Sequence, residues 1–231
     1  MAINIEKYSY LLKQLNGKAT LVAVSKTKPL EDLQALYDLG HRDFGENYVQ
    51  ELVDKATLLP KDIRWHFLGH LQSNKVKYIA PFVHLIHGVD SLSLLKEIDK
   101  QAAKNNRVID CLLQIHIAKE ETKFGFDASE LSGSTEFNHW RNVNLVGLMG
   151  MASFSNDTNL IRNEFSNLKS LFDANKQSSN KEATDDTVEI KNFHFTILSM
   201  GMSGDYEIAL EQGSNMVRIG SLLFGERNYK H

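Results

Sequence analysis

This sequence is poor in several features that would otherwise narrow its class. It holds one cysteine, Cys111, so no intrachain disulfide can form. That cysteine sits in the apolar run Cys111-Leu112-Leu113-Gln114-Ile115, the setting of a buried, inert thiol in a reducing compartment rather than of a nucleophile. Its three prolines, Pro29, Pro60 and Pro81, each fall at a junction between periodic stretches. Nowhere does the chain reach the roughly 18 consecutive apolar residues of a membrane span. At the N-terminus Glu6, Lys7 and Lys13 interrupt Ile5, Leu11, Leu12 and Leu15, which argues against a signal-peptide core. Positive charge is not in excess either: 26 basic against 29 acidic side chains give a net charge of -3, no field for a polyphosphate backbone. A cytoplasmic protein that engages neither membrane nor nucleic acid is expected.

What is present is an ordinary globular balance, 42% apolar and 24% charged residues in 231. A chain of this length buries roughly 70 to 75% of its unfolded surface, enough for a core without metal or disulfide. One domain over residues 1–231 is expected, although two small ones are permitted by length. Short strand-like runs alternate with stretches of helical period throughout, the pattern of a parallel α/β fold. The expected strands are Leu21 to Ser25, Arg42 to Gly45, Arg64 to Leu68, Leu85 to Val89, Asp110 to Ile117, Leu145 to Met149, Phe195 to Ser199 and Met216 to Ile219. About eight such units suggest a single (β/α)8 TIM barrel. Helices are expected over Leu30 to Leu39, Asn47 to Leu58, Leu92 to Lys104, Leu160 to Ala174 and Asp205 to Gln212, with Ser91 as an N-cap and Gly40 as a stop. Residues 176–192 turn polar and read as a mobile surface loop.

Lys26 follows the apolar strand Leu21-Val22-Ala23-Val24-Ser25, a place where lysine is rarely useful for stability. An ordinary lysine, with pKa near 10.4, is neutral about once in a few thousand molecules at pH 7; burial raises that fraction and makes the amine a nucleophile toward carbonyls. Position alone leaves open a lysine whose stem is buried and whose head reaches out of the barrel mouth. At the other end of the chain, Ser199-Met200-Gly201-Met202-Ser203-Gly204-Asp205 follows one strand, and Arg218-Ile219-Gly220-Ser221 follows the last. Glycine turns after the seventh and eighth strands are the usual phosphate site of such barrels. Together with the lysine they imply a ligand bearing both a carbonyl and a phosphate. The nine histidines prompt a metal check. His66 and His70 are spaced for a helix but fall on a strand and its loop, with no third ligand nearby, so no metal is expected.

Ala23-Val24-Ser25-Lys26-Thr27, Phe44-Gly45-Glu46-Asn47-Tyr48, Trp65-His66-Phe67-Leu68-Gly69-His70-Leu71-Gln72, Gly147-Leu148-Met149-Gly150-Met151, Leu198-Ser199-Met200-Gly201-Met202-Ser203 and Val217-Arg218-Ile219-Gly220 closely resemble the pyridoxal phosphate homeostasis protein family. The matches are ordered and run from about residue 21 to the C-terminus. The resemblance implies a barrel of the fold-type III class that binds pyridoxal 5'-phosphate (PLP), akin to the alanine racemase N-terminal barrel but lacking its second β-domain. It makes Lys26 the Schiff-base lysine, with Asn47 and His66 lining the cofactor. It places Ser199, Gly201, Ser203, Gly220 and Ser221 at the phosphate and Arg218 against the pyridine nitrogen. An arginine there has no acceptor and leaves the ring nitrogen unprotonated, so the ring is a weak electron sink. Met149 and Met151 are candidates to pad the ring face. Lys123 matches a lysine near the barrel mouth, a relay or secondary PLP site. His116 departs from the family, which commonly carries asparagine there.

The racemases of this barrel class take a second base from an additional β-domain, for which the chain, stopping at His231, has no room. The expectation is therefore a non-enzymatic PLP-binding carrier, a monomer serving PLP homeostasis, whose partners are PLP and PLP-dependent apo-enzymes. The alternatives are a small PLP-dependent amino-acid racemase and a barrel for some other phosphorylated metabolite.

Overall fold

The computed structural model describes residues 3–120, 124–131, 137, 140–178 and 193–225. Its strands are β1 (Thr20–Val24), β2 (Asp43–Glu46), β3 (Arg64–Phe67), β4 (Leu85–Val89), β5 (Ile109–Ile115), β6 (Val143–Gly150), β7 (Phe193–Met202) and β8 (Met216–Ile219). They form one closed parallel barrel in chain order, sealed where β1 pairs with β8 through Leu21 opposite Val217 and Ala23 opposite Ile219. Around it lie α1 (Ile5–Leu15), α2 (Leu30–Asp38), α3 (Val49–Leu58), α4 (Val76–Ile79), α5 (Leu92–Lys104), α6 (Ala128–Leu131), α7 (Thr158–Ser178), α8 (Tyr206–Glu211) and α9 (Ser221–Phe224). The expected (β/α)8 fold is the observed one.

Local chemistry sets the ends of these elements. The Ser91 side chain accepts from Leu94 N and starts α5, which buries Leu94, Leu95, Ile98 and Ala102 along one face. Gly40, at φ +92°, lets the chain leave α2 in a left-handed turn closed by its N–H on Tyr37 O. α1, which sequence periodicity did not single out, is capped by Asn4 and buries Tyr8, Leu11 and Leu15. It is anchored to α9 by Asn4 N donating to Leu223 O at 2.9 Å. α7 extends three residues into the stretch read as a surface loop, and residues 179–192 of that stretch lie outside the described residues.

Two apolar clusters make the core. The larger fills the layer between strands and helices, with Phe44, Phe67, Phe165, Phe195 and Phe224 fully buried there. The smaller, Val22, Leu85, Leu112, Met149 and Met216, occupies the lumen. Cys111 is buried in the outer layer, and burial pushes its thiol well above the usual range, as expected of an inert side chain. No described helix is long and apolar enough to cross a membrane.

Candidate functional site

Alternation of side chains along each strand puts every second residue in the lumen, and the last inward residues of several strands open on the C-terminal mouth. There they line a cleft of about 430 Å³. Val24 and Lys26 come from the end of β1, Asn47 from β2, Leu68 from β3, Met149 and Met151 from β6, Met202, Ser203 and Gly204 from β7, and Arg218, Gly220 and Ser221 from β8. Among the described lining residues there are three cationic side chains, Lys26, Lys28 and Arg218, and no carboxylate. Its walls are apolar where the methionines, Val24 and Leu68 stand. The arrangement suits a flat ring carrying a dianion and an amine-reactive group.

Of the expected site residues, the cleft gathers Lys26, Asn47, Ser203, Arg218, Gly220 and Ser221. Ser203 also joins the two glycine turns, since its Oγ accepts from Gly220 N at 3.3 Å. Arg218 is only 5% exposed; its Nη1 donates to Ser199 Oγ at 2.7 Å and its Nη2 to Gly150 O at 2.9 Å. Burial pulls its pKa down to about 10, so it stays protonated at neutral pH. A surface salt bridge is not its role: among the described residues no carboxylate lies within ion-pair distance of it.

Three expected residues fall elsewhere. His66 does not line the cleft: it lies one inward layer too low, opposite Gly45, and Leu68 takes the place at the mouth. Ser199 is likewise a layer down, fully buried beneath Arg218. Gly201, at φ +95°, is a packing glycine, because a Cβ would stand 2.6 Å from Ala209 Cβ and 3.0 Å from Tyr206 Cα of α8. His116 pairs within its own loop, Nε2 lying 2.9 Å from Glu120 O. Lys123 lies outside the described residues. Sequence reasoning passed over Lys28, Leu68, Met202 and Phe154, which line the cleft, Phe154 with its whole ring exposed.

The loop that carries Lys26 is held from behind by a buried polar cluster. Lys55 Nζ donates to Ser25 O at 2.7 Å, to Glu46 Oε1 at 2.8 Å and to Glu51 Oε1 at 2.7 Å. Ser25 Oγ donates to Glu46 Oε1 at 2.6 Å, and Thr27 N to Glu51 Oε1 at 2.6 Å. Thr27 sits at φ +62°, an unfavourable region for a β-branched residue, and the Glu51 bond holds it there. Burial pushes the Glu46 carboxyl up to about 7, outweighing Lys55, and its Oε2 has no hydrogen-bond partner.

A pH dependence follows. A carboxyl raised on folding stabilises the fold fully below its unfolded value, about 4.5, and loses that contribution as pH rises through 7. Glu46→Gln removes this loss. The stability of the variant relative to the parent is expected to rise by about 2 to 3 kcal/mol between pH 4.5 and 8, as measured by urea unfolding. A pH-independent difference would show that Glu46 ionises as an ordinary carboxylate.

Comparison with known proteins is consistent with this geometry. The family model for the alanine racemase N-terminal domain matches residues 3–228. The chain is 40% identical over 213 residues to the pyridoxal phosphate homeostasis protein of Aquifex aeolicus (strain VF5), covering 91% of this chain and 88% of that one. To the protein of the same name from Homo sapiens it is 39% identical over 221 residues, with 90% and 77% covered. Among solved structures, PipY of Synechococcus elongatus PCC7942 with PLP bound matches at a TM-score of 0.82 and 31% identity, over 95% of this chain and 99% of that one.

Proposed function

Because the chain belongs to the alanine racemase N-terminal domain family, and within it to the pyridoxal phosphate homeostasis proteins, we propose that it binds PLP in the C-terminal cleft and acts as a non-enzymatic carrier. In this reading it is a cytoplasmic monomer that keeps PLP available and passes it to PLP-dependent apo-enzymes. The observation that carries the proposal is the convergence of Lys26, Arg218 and the two glycine turns on one cleft of suitable size, with no carboxylate among its described lining residues.

The group fits the residues present. An added Cβ at Gly204 would meet nothing within 4 Å, so the turn is open to a ligand, and one at Gly220 would stand 3.2 Å from Val24 O, so the turn lies close against β1. When bound, PLP supplies an aldehyde that condenses reversibly with a primary amine. Lys26 presents that amine at the end of β1. The Ser203 and Ser221 hydroxyls and the backbone N–H groups of Ser203, Gly204 and Ser221 are the donors for the phosphate, the N–H groups of Met202, Asp205 and Gly220 being used within the turns. Asn47, Met149 and Met151 bound the ring. Arg218, protonated and without an acceptor, cannot lend a proton to a pyridine nitrogen set against it and cannot take one from it.

Holding rather than turnover is the consequence. Among the described lining residues there is no histidine, tyrosine, aspartate or glutamate to exchange a proton with a bound amino acid on the face opposite Lys26. The second amine, Lys28, directs its Nζ to Phe224 O at 2.8 Å and Gly225 O at 3.2 Å. Incubation of the PLP-loaded protein with L-alanine is expected to yield no D-alanine above free PLP, while an added apo-transaminase gains activity from the loaded protein. D-Alanine formation that disappears in Lys26→Ala would instead establish a racemase.

A further inference from the structure

Beneath the cleft the lumen contains a run of polar groups that leads up to Arg218 and that, below Arg218, the proposed function does not use. Arg64 donates to Asp43 through Nε at 2.7 Å and Nη2 at 2.5 Å. Asp43 Oδ1 lies 3.1 Å from His66 Nε2, His66 Nδ1 lies 2.9 Å from His87 Nε2, and His87 Nδ1 lies 3.1 Å from Ser199 Oγ. Ser199 Oγ then receives Arg218 Nη1 at 2.7 Å. The line runs from the N-terminal mouth, where Asp43, Arg64, His66, His84 and Asp110 border a cavity of about 230 Å³, to the guanidinium in the cleft.

With neutral imidazoles between them, the two ends set the direction of every bond. Arginine can only donate and an ionised carboxylate can only accept. Burial alone would raise the Asp43 carboxyl, but the bonds from His66 and Arg64 hold it well below the usual range, so it is ionised. Ser199 Oγ therefore accepts from Arg218 and gives its hydrogen to His87 Nδ1. His87 carries its proton on Nε2 and gives it to His66 Nδ1, and His66 carries its own on Nε2 and gives it to Asp43. Both imidazoles are neutral, in the direction their burial favours.

Reversal needs a second proton on His66. His87 would then donate from Nδ1 to Ser199, which would accept twice and have to redirect its hydroxyl hydrogen. The groups facing His66 are Asp43 on β2, Arg64 on β3, His84 ahead of β4 and His87 on β4; those facing His87 are His66, His84 and Arg218. One carboxylate among these is already neutralised by Arg64, so an imidazolium there has little to compensate its burial.

We propose that Asp43, His66 and His87 are positioning residues for Arg218: the chain commits the Ser199 hydroxyl hydrogen to His87 and so turns an Oγ lone pair to Nη1, which together with Gly150 O on Nη2 ties the guanidinium down and leaves the N–H groups outside these two bonds to the ligand. The polarity of the chain stands on the protein alone; its effect on binding rests on the proposed PLP site. In imidazole-15N-labelled protein without ligand, His66 and His87 are each expected to show one protonated nitrogen, Nε2, at pH 7. A proton on Nδ1, or on both nitrogens, of either ring would overturn the proposal.

A second measurement tests the consequence. His87→Leu breaks the chain, whereas the side-chain amide of His87→Gln can accept and donate in its place. His87→Leu is expected to speed hydrogen exchange at the Arg218 guanidinium about tenfold and to weaken PLP binding about fivefold with a shifted absorbance, the size of one lost hydrogen bond. His87→Gln is expected to restore exchange, affinity and absorbance toward the parent values. Exchange at Arg218 unchanged in folded His87→Leu refutes positioning. Should the unmutated protein fail to bind PLP, the cofactor assignment fails while the nitrogen spectra and guanidinium exchange still decide the chain.

Discussion

Lys26→Ala is expected to abolish the covalent retention of PLP while leaving a weaker, phosphate-dependent affinity. The reasoning is a division of labour within one cleft. Lys26 contributes the only bond that can become covalent among the groups assigned to the ligand, and it stands at the end of β1, a different strand from the β7 and β8 whose ends carry the two turns. Those turns are linked to each other by Gly220 N donating to Ser203 Oγ. A few charge-assisted hydrogen bonds, each contributing about 1.5 to 3 kcal/mol, hold the phosphate in the variant. Affinity is expected to fall about a hundredfold, or about 2.8 kcal/mol, and added inorganic phosphate to compete for what remains. Dialysis after borohydride treatment should remove all cofactor from the variant and none of the covalent label from the parent. Complete loss of binding would mean that the lysine also builds the phosphate site.

Gly147→Ala is expected to be the most damaging small substitution. Gly147 lies on β6 between Leu112 of β5 and Ile197 of β7, beside register shifts on both sides. A Cβ there would stand 1.7 Å from Ile197 O and 2.7 Å from its carbonyl carbon. Both contacts are backbone, so no rotamer relieves them and two strands must part. The cost is expected to exceed about 4 kcal/mol, a large share of a typical domain's 5 to 15 kcal/mol. For a chain of this size that lowers the melting temperature by roughly 8 to 16 °C. Function should follow, because Gly150, farther along β6, provides the carbonyl that accepts from Arg218 Nη2. Gly204→Ala is the control, expected within about 0.5 kcal/mol of the parent because a Cβ there has nothing within 4 Å. Equal melting temperatures for the two variants would refute the clash.

Much of the barrel was legible before any coordinates. The expected ends of β4, β8 and α5 are the observed ones, because apolar runs bounded by clear stops mark them. β7 was underestimated: pairing continues past Ser199 through a register shift to Met202, which composition does not reveal. α1 escaped because its apolar residues were weighed only against a membrane or export signal. For the site, the sequence identified which strand ends carry chemistry but not the layer each side chain occupies. Height in the lumen depends on register with neighbouring strands. That is why Lys26, Asn47 and Arg218 open on the cleft while His66 and Ser199 stop one layer short. His87 was a readable signal, a histidine in the apolar strand Leu85-Ile86-His87-Gly88-Val89, but nothing in the sequence pairs it with His66.

The most direct test of the account is the visible spectrum of the protein with PLP, followed by borohydride reduction and mapping of the labelled peptide. The account predicts an absorbance band at roughly 410 to 430 nm, as expected of a lysine-bound PLP, and label confined to Lys26. Label on another lysine, or no band at saturating PLP, would contradict it.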